Sequence, residues 1–414
     1  LNKQLEVIQA VSKEHVQRVA AKYFAPERRT TVRVIPKQGA LHEPPPVPVF
    51  EGDSEWQLLK SDVVRPTDYP RTPPIKPLSE ALPKARIIRR KLNNGLNVVL
   101  VPNNEAPFVT LMLGLREGAW TEPSDTPGVA SAALEMITKG TQNYTAEELA
   151  EILDFNALTL RGAAEANGRP SMDVGQVSAT ALSDKFPLAM ELLAETVRRP
   201  TFPEQETAIM MEQRRLNLSV RERDPRYIAD RTTYRTLYKS HPYARAVTGS
   251  LTDIDRLSSE ALRTWWFRHA RPEACTLYVA GDVTPREAWA IARKYFGDWK
   301  SEEKTELPVF EVPPREPMKI SLVDIPGAVQ SQIRVAQTTI TRGHPDYHNA
   351  RVFSQVFGSD FNSRLNRVLR VERGLTYSVW GMFVPQRDSG EFYCSTFTKT
   401  ESTSETVQAL LDVI

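Results

Sequence analysis

The sequence predicts an α+β fold in which helices pack on one face of a mostly antiparallel sheet. Two observations lead to this fold class. Along residues 86–300, β-rich segments come in runs and alternate with amphipathic helical segments, as in layered α+β domains. The order strand, strand, helix, loop, helix, strand then recurs along residues 301–414, as a shorter copy. We therefore expect two related domains, residues 86–300 and residues 301–414.

The first domain is expected to open with a hairpin. The turn Asn93-Asn94-Gly95 separates residues 90–92 from the apolar run 96–101, which is typical of a tight turn between two strands. Two helix starts are marked locally by a capping box, Thr145 with Glu148, and by Thr284 before Pro285. The further strands predicted here are residues 109–115 and 171–179, and the helices are residues 131–139, 147–156, 185–198, 204–222 and 285–296.

Residues 12–30 are repeated at residues 258–276. In both copies a Ser can cap a helix, a Glu follows in its first turn and a Pro stops it, at Ser12, Glu14 and Pro26 and at Ser258, Glu260 and Pro272. A β-rich run follows each helix, at residues 31–35 and 276–280. Such a helix-turn-strand unit is typical of an element that closes a domain. We therefore expect residues 1–37 to close a preceding domain, and the proline-rich residues 38–85 to form a linker.

The second domain follows a polar linker that contains several prolines. Its predicted strands are residues 320–323, 331–337, 377–384 and 392–398, and its predicted helices are residues 347–357, 363–371 and a last one from near Thr403. This copy has no closing unit like the one at residues 258–280. We therefore expect the natural polypeptide to extend beyond residue 414.

The composition indicates an ordinary folded protein and excludes several function classes. Of the 414 residues 41% are hydrophobic and 25% charged, which argues against a disordered chain. The net charge of +2 gives no charge excess that would favour nucleic acid or an anionic membrane. No apolar run approaches the roughly 20 residues of a membrane span. Cys275 and Cys394 stand far apart, without a metal-type cysteine cluster.

Six short motifs follow one another in a specific order. They are the frame Gly128, Ala130, Met136, Gly140 and Thr141, then Phe202-Pro203-Glu204, His241-Pro242-Tyr243, His344-Pro345-Asp346-Tyr347, Ser363-Arg364-Leu365 and Arg373-Gly374-Leu375-Thr376-Tyr377-Ser378. In this order they resemble the pitrilysin/insulinase (M16) family of zinc metallopeptidases. The resemblance implies paired α+β domains of the LuxS/metallohydrolase-like type. It also implies two halves that close around a peptide, one of which carries zinc.

The chain departs from this family at the metal helix. The resemblance places the family's first His at Ser131, its catalytic Glu at Leu134, its second His at Glu135 and its third ligand at Glu212. Zinc in peptidases is bound by nitrogen, sulfur or carboxylate ligands, which Ser131 and Leu134 do not supply. The resemblance therefore implies no metal in this chain, a chain that is inactive alone, and zinc on a partner half. The alternative for Glu212 is a solvated charge on a charged helix.

A second set of family residues is retained. In the family an Arg and a Tyr seven residues later reach from the zinc-free half to the substrate, and Arg370 and Tyr377 have this spacing. A Tyr hydroxyl can donate to the oxygen on which charge builds, and an Arg can hold a backbone or carboxylate group. The alternative is that Arg370 is a solvated cation at a helix end and Tyr377 a core residue of a strand.

Three functions follow from these motifs. The first is a zinc-free half of an M16-type metalloendopeptidase, which walls the peptide chamber and supplies Arg370 and Tyr377. Its partners would be a peptide and a zinc-bearing half, upstream on the same polypeptide or in a separate subunit; the resemblance suggests a periplasmic location. The second is a non-catalytic structural or assembly subunit of the same fold. The third, a self-sufficient zinc peptidase, is disfavoured by the missing ligands.

Overall fold

The computed structural model describes residues 7–8, 10–30, 85–166, 168–301, 306–314 and 317–414. The chain divides into two compact units, Leu1–Ala81 and Leu82–Ile414. The described part of the first unit contains helix α1, Lys13–Tyr23, which Ser12 caps as predicted by accepting a hydrogen bond from the His15 amide. The predicted strand at residues 31–35 and all but the last residue of the predicted linker lie outside the described residues.

The second unit is built around a six-stranded sheet. Its strands are β1 (Ile88–Lys91), β2 (Asn97–Pro102), β3 (Phe108–Leu115), β4 (Thr159–Ala163), β7 (Gly175–Leu182) and β8 (Cys275–Gly281), and a small hairpin pairs β5 (Glu165–Ala166) with β6 (Arg169–Pro170). The order is β1-β2-β8-β3-β7-β4, and every pair is antiparallel except β2 with β8. The helices are α2 (Val129–Met136), α3 (Ala146–Phe155), α4 (Phe186–Arg198), α5 (Glu204–Arg221), α6 (Pro225–Tyr238), α7 (Ser259–His269) and α8 (Pro285–Phe296). The predicted α+β class with a mostly antiparallel sheet is confirmed.

The closing unit, α7 and β8, adds an inner strand to this sheet. Ser258 caps α7 and a strand follows, as predicted for the second copy of the repeat. In the sheet this strand, β8, lies between β2 and β3. A buried ion cluster fixes the unit to the residues that follow β3. Glu117 accepts hydrogen bonds from Arg271 at 2.5 Å and lies 2.9 Å from Nδ1 of His269. All three side chains are buried, so the charges of Glu117 and Arg271 depend on each other.

A smaller sheet organises the second domain. Its strands are β9 (Gln330–Thr339), β10 (Val379–Pro385) and β11 (Gly390–Lys399), in the antiparallel order β10-β11-β9. Helices α9 (Tyr347–Ser354) and α10 (Thr403–Val413) accompany two π-helical segments, Gln355–Ser359 and Asn366–Glu372. Its core, which contains Leu365, Leu369 and Leu410, is separate from the larger core of the first domain.

Some predicted elements differ in the structure. The strand predicted at residues 320–323 does not form, and Ile320 and Leu322 are 81% and 92% exposed. A strand needs a neighbour for its backbone groups, and no described strand lies beside this segment. The strand predicted at residues 171–179 begins at Gly175 instead, and the helix predicted at residues 363–371 is wound as the π-helical segment Asn366–Glu372.

Helix α6 was not predicted, and it joins the first domain to the second. Asp224 caps it and Pro225 takes its first position, a local signal that could have revealed it. Its Asp230 accepts a 2.6 Å hydrogen bond from Arg334 of β9. Its Tyr238 donates a 2.6 Å hydrogen bond to Glu391, a buried residue of β11 whose pKa is raised by that burial. Within the described residues no helix has the length and hydropathy required to cross a membrane.

Candidate metal-motif site and the arginine–tyrosine pair

The metal-motif helix α2 begins at a glycine that the surrounding loops require. Gly128 adopts φ 92°, and a Cβ at this position would lie 2.7 Å from the carbonyl oxygen of Thr248. The two oxygens of the buried Glu122 accept the amides of Gly128 at 3.0 Å and Ala130 at 2.9 Å. The helix start is therefore held by a carboxylate, which suits the positive end of the helix dipole.

Burial raises the pKa of Glu122 to about 7, although the Gly128 and Ala130 amides and the nearby Arg245 and Arg214 favour its charged form. Because this pKa lies above that of the unfolded chain, its contribution to stability is full below about pH 4.5 and is lost as the pH rises through about 7. We expect the loss to reach about 3 kcal/mol. Glu122→Gln, which cannot titrate, should flatten the fall in unfolding free energy between pH 5 and pH 8, measured by urea denaturation. Identical pH profiles for the two proteins would contradict this assignment.

The three motif positions on α2 are Ser131, Leu134 and Glu135, which supply a hydroxyl, an apolar side chain and one carboxylate. Ser131 is buried, and its Oγ donates to the carbonyl oxygen of Gly128 at 3.1 Å. Leu134 is fully buried in the first-domain core, where a Cβ on Gly175 would lie 2.6 Å from its Cδ1. The position to which the resemblance assigns a catalytic Glu is therefore occupied by a core residue. Glu135 projects outward, with a side chain that is 56% exposed.

An arginine from α5 joins Ser131 and Glu135, the two positions to which the resemblance assigns His ligands. Arg214, whose side chain is only 6% exposed, donates through Nη1 to Oγ of Ser131 at 2.9 Å and through Nη2 to Oε2 of Glu135 at 2.7 Å. It also donates to the carbonyl oxygens of Gly128 and Thr248, each at 3.3 Å. A guanidinium fixed by these bonds thus links Ser131 and Glu135. Its positive charge would repel a metal cation at this place, and its ion pair with Glu135 engages the carboxylate that could otherwise bind a metal.

Glu212 does not face this site. Its side chain is 67% exposed and its Oε2 lies 3.8 Å from Nε of Arg215, one turn away. The inward residues of α5 are Thr207, Met210, Met211, Arg214 and Leu218. The sequence signal for this buried arginine is a charge at helical spacing from Met210, Met211 and Leu218, on the face that the helix turns to the core. The described residues include no cluster of three or more His, Cys, Asp or Glu that could bind a metal, so the side chains at α2 and α5 do not fit zinc.

Arg370 and Tyr377 lie together on the second domain. Arg370 belongs to the π-helical segment Asn366–Glu372, and its guanidinium carbon lies 4.6 Å from the ring centroid of Tyr377 and 4.3 Å from that of Phe361. The chain turns at Gly374, which adopts φ 62°, and this turn brings Tyr377 back beside the helix. Tyr377 is 74% exposed, so the alternative of a core tyrosine is wrong. The pair presents a planar cation and a free phenol edge to solvent.

Comparison with known proteins agrees with this architecture. The family model described as Insulinase (Peptidase family M16) matches residues 97–250, and the model described as Peptidase M16 inactive domain matches residues 256–414. The uncharacterized zinc protease YmxG of Bacillus subtilis is 23% identical over 78% of this chain and 78% of its own length. A probable mitochondrial-processing peptidase subunit beta of Schizosaccharomyces pombe is 25% identical over 67% of this chain and 60% of its own length.

Solved structures share the fold. A peptidase M16 inactive domain from Pseudomonas fluorescens matches with a TM-score of 0.73 and 25% identity, over 79% of this chain and 78% of that one. The periplasmic protease PqqL from Escherichia coli matches with a TM-score of 0.63 and 17% identity, over 81% of this chain but 38% of that longer one. With both family models matched in succession along one continuous unit, the chain belongs to the M16 (insulinase) peptidase family.

Proposed function

We propose that this chain is the zinc-free half of an M16 metalloendopeptidase, which walls one side of a peptide chamber and presents Arg370 and Tyr377 to a zinc-bearing half. The observation that carries the proposal is the contact of Arg370 with the exposed ring of Tyr377. In the same chain Arg214 is bonded to Ser131 and Glu135 of the metal-motif helix α2. The exposed ring of Tyr377 leaves apolar surface in water, which is unfavourable, and it contributes little to the core. A role in contacting a ligand accounts for that exposure.

The chemistry of the pair matches peptide hydrolysis. When a peptide bond is attacked, negative charge develops on the carbonyl oxygen. A hydroxyl such as that of Tyr377 can donate a hydrogen bond to that oxygen, and this bond strengthens as the charge develops. The guanidinium of Arg370 has donors in a planar fork, which suits a backbone carbonyl or a carboxylate of the substrate. The guanidinium contacts the rings of both Phe361 and Tyr377, and these contacts restrict its orientation.

Reconstitution tests the proposal. The chain alone should show no peptidase activity, and joining it to an M16 half that carries an intact H-x-x-E-H helix should give zinc-dependent cleavage of a quenched fluorescent peptide. Metal content, measured by plasma mass spectrometry, should be about one zinc per joined molecule and none in this chain alone, because its α2 and α5 lack suitable ligands. Tightly bound zinc in this chain alone, with activity, would contradict the proposal. An inactive joined protein that still binds zinc would favour a structural or assembly subunit.

A further inference from the structure

A cavity of about 620 Å³ lies beside the start of the metal-motif helix. It is lined on one side by α6, including Arg231 and Arg235, and on the other by residues between α6 and α7, including Arg245 and Gly249. Pro127, which precedes α2, contributes to the wall. Pro127 is in close contact with the second of these walls, since a Cβ on Gly249 would lie 2.6 Å from the carbonyl oxygen of Pro127. A ligand in this cavity would therefore lie next to the degenerate motif.

Cations outnumber anions among the cavity's side chains. The basic residues are Arg231, Arg235, Lys239 and Arg245, and the acidic residues are Glu222 and Asp253. Both carboxylates are already engaged by the loop that follows: Glu222 accepts the Leu251 amide at 3.0 Å, and Asp253 accepts the Ser250 amide at 2.9 Å and its hydroxyl at 2.6 Å. Across the described residues, neither carboxylate forms an ion pair with an arginine of the cavity. Arg231 and Arg235 of α6 therefore have no carboxylate partner in the part of the chain that the structure describes, and their charge is available to a ligand.

Two of the arginines are fixed in place with donors to spare. Arg231 is half-buried and uses Nη2 to donate to the carbonyl oxygen of Ala244 at 2.6 Å. The Nε atom of Arg245 is buried and has no hydrogen-bond acceptor in the part of the chain that the structure describes. A guanidinium has five N–H donors, so each group retains several for an incoming acceptor. Tyr227 and Ile228 add apolar surface beside these cations, which suits an organic anion better than a bare inorganic one.

We propose that this cavity binds a carboxylate of the peptide substrate, either its terminal carboxylate or an acidic side chain. The inference rests on the proposed function, because it assigns the cavity to a peptide held along the chamber wall. Arginine forks bind planar carboxylates through paired hydrogen bonds, and a partly enclosed cavity strengthens such charge-assisted bonds. Peptides that place a carboxylate here would be selected over amidated, uncharged ones.

Binding of labelled peptides to the full chain tests the assignment. Three peptides that carry a fluorophore without a carboxylate, and that differ only in their own carboxylates, would be compared by anisotropy at low salt: a free C-terminal acid without acidic side chains, its C-terminal amide, and the amide with one internal residue replaced by Glu. We expect the acid peptide to bind at least about tenfold more tightly than the plain amide. Tight binding of the Glu-containing amide instead would identify the side chain as the source of the carboxylate. Equal affinity for all three peptides would overturn the proposal.

Variants locate the effect. Arg235→Gln, at an exposed position, and Arg231→Gln should each reduce the acid-over-amide preference about tenfold. Arg286→Gln, an exposed arginine of α8 outside the cavity, should leave it unchanged. Thermal melts would show whether Arg231→Gln still folds, since it loses the hydrogen bond to the carbonyl oxygen of Ala244. If Arg231→Gln is unfolded, Arg235→Gln alone provides the test. Preference retained in Arg235→Gln and in folded Arg231→Gln would overturn the assignment. Cleavage of the amidated peptide by the joined enzyme tests the proposed function separately, since that peptide has no carboxylate for the cavity.

Discussion

Tyr377→Phe is expected to lower kcat/KM of the joined two-half peptidase by about a hundredfold, mostly through kcat. The substitution removes one hydroxyl and keeps the ring, so the stack with Arg370 remains. Loss of one preorganised donor to a developing oxyanion typically costs this much, because the donor acts on charge that is fully present only in the transition state. Initial rates with a quenched fluorescent peptide, below and above KM, would separate the two kinetic constants.

The matched control is Tyr278→Phe. Tyr278 is a partly exposed tyrosine of β8 in the first domain, so its hydroxyl is lost from a position away from the Arg370–Tyr377 pair. This variant should retain wild-type rates. Arg370→Lys adds a second test, since it keeps the charge but loses the planar fork and the stacking. If Tyr377→Phe and Tyr278→Phe turned over alike, Tyr377 would have no catalytic role and the structural alternative would gain support.

Local signals predicted the fold well because they act within a few residues. The capping box of Thr145 and Glu148 is observed as predicted, and so is the Ser258 cap of the closing unit. Tyr377 could be predicted beside Arg370 because the family spacing includes the turn at Gly374. The predicted strand at residues 320–323 failed for the opposite reason. Its formation depends on a neighbouring strand, which alternation of apolar residues cannot reveal.

The metal-motif site shows the limit of counting along a helix. Glu212 and Arg214 are two residues apart on α5, which corresponds to a rotation of about 200° around the helix axis. The resemblance placed the family's third ligand at Glu212, with a solvated charge as the alternative, and the exposed Glu212 agrees with the alternative. Packing of Met211 and Leu218 against the core turns Arg214 inward instead. Which face is buried is decided by the whole helix and not by distance from a motif. A single buried charge on that face then fixes the chemistry of the site.

Glu117→Ala is expected to destabilise the chain by about 3 kcal/mol. The substitution leaves His269 beside an empty position and Arg271 with only the partly exposed Glu273 as its partner, and a buried charge that loses its buried partner is costly. The cluster attaches the α7–β8 closing unit, whose strand fills the sheet between β2 and β3. Loss of the cluster should therefore lower the midpoint of urea unfolding of the whole first domain, which circular dichroism would measure.

Glu273→Ala provides the comparison within the same cluster. Glu273 also accepts a hydrogen bond from Arg271, at 2.9 Å, but its side chain is 41% exposed. Ion pairs of exposed carboxylates contribute about 1 kcal/mol or less, because water solvates both groups when they separate. We therefore expect Glu273→Ala to cost less than a third as much as Glu117→Ala. Losses of about 1 kcal/mol or less in both variants would mean that water reaches Arg271 once either partner is removed. The closing unit would then be held by the packing of Leu262 and Trp266 and not by the buried charges.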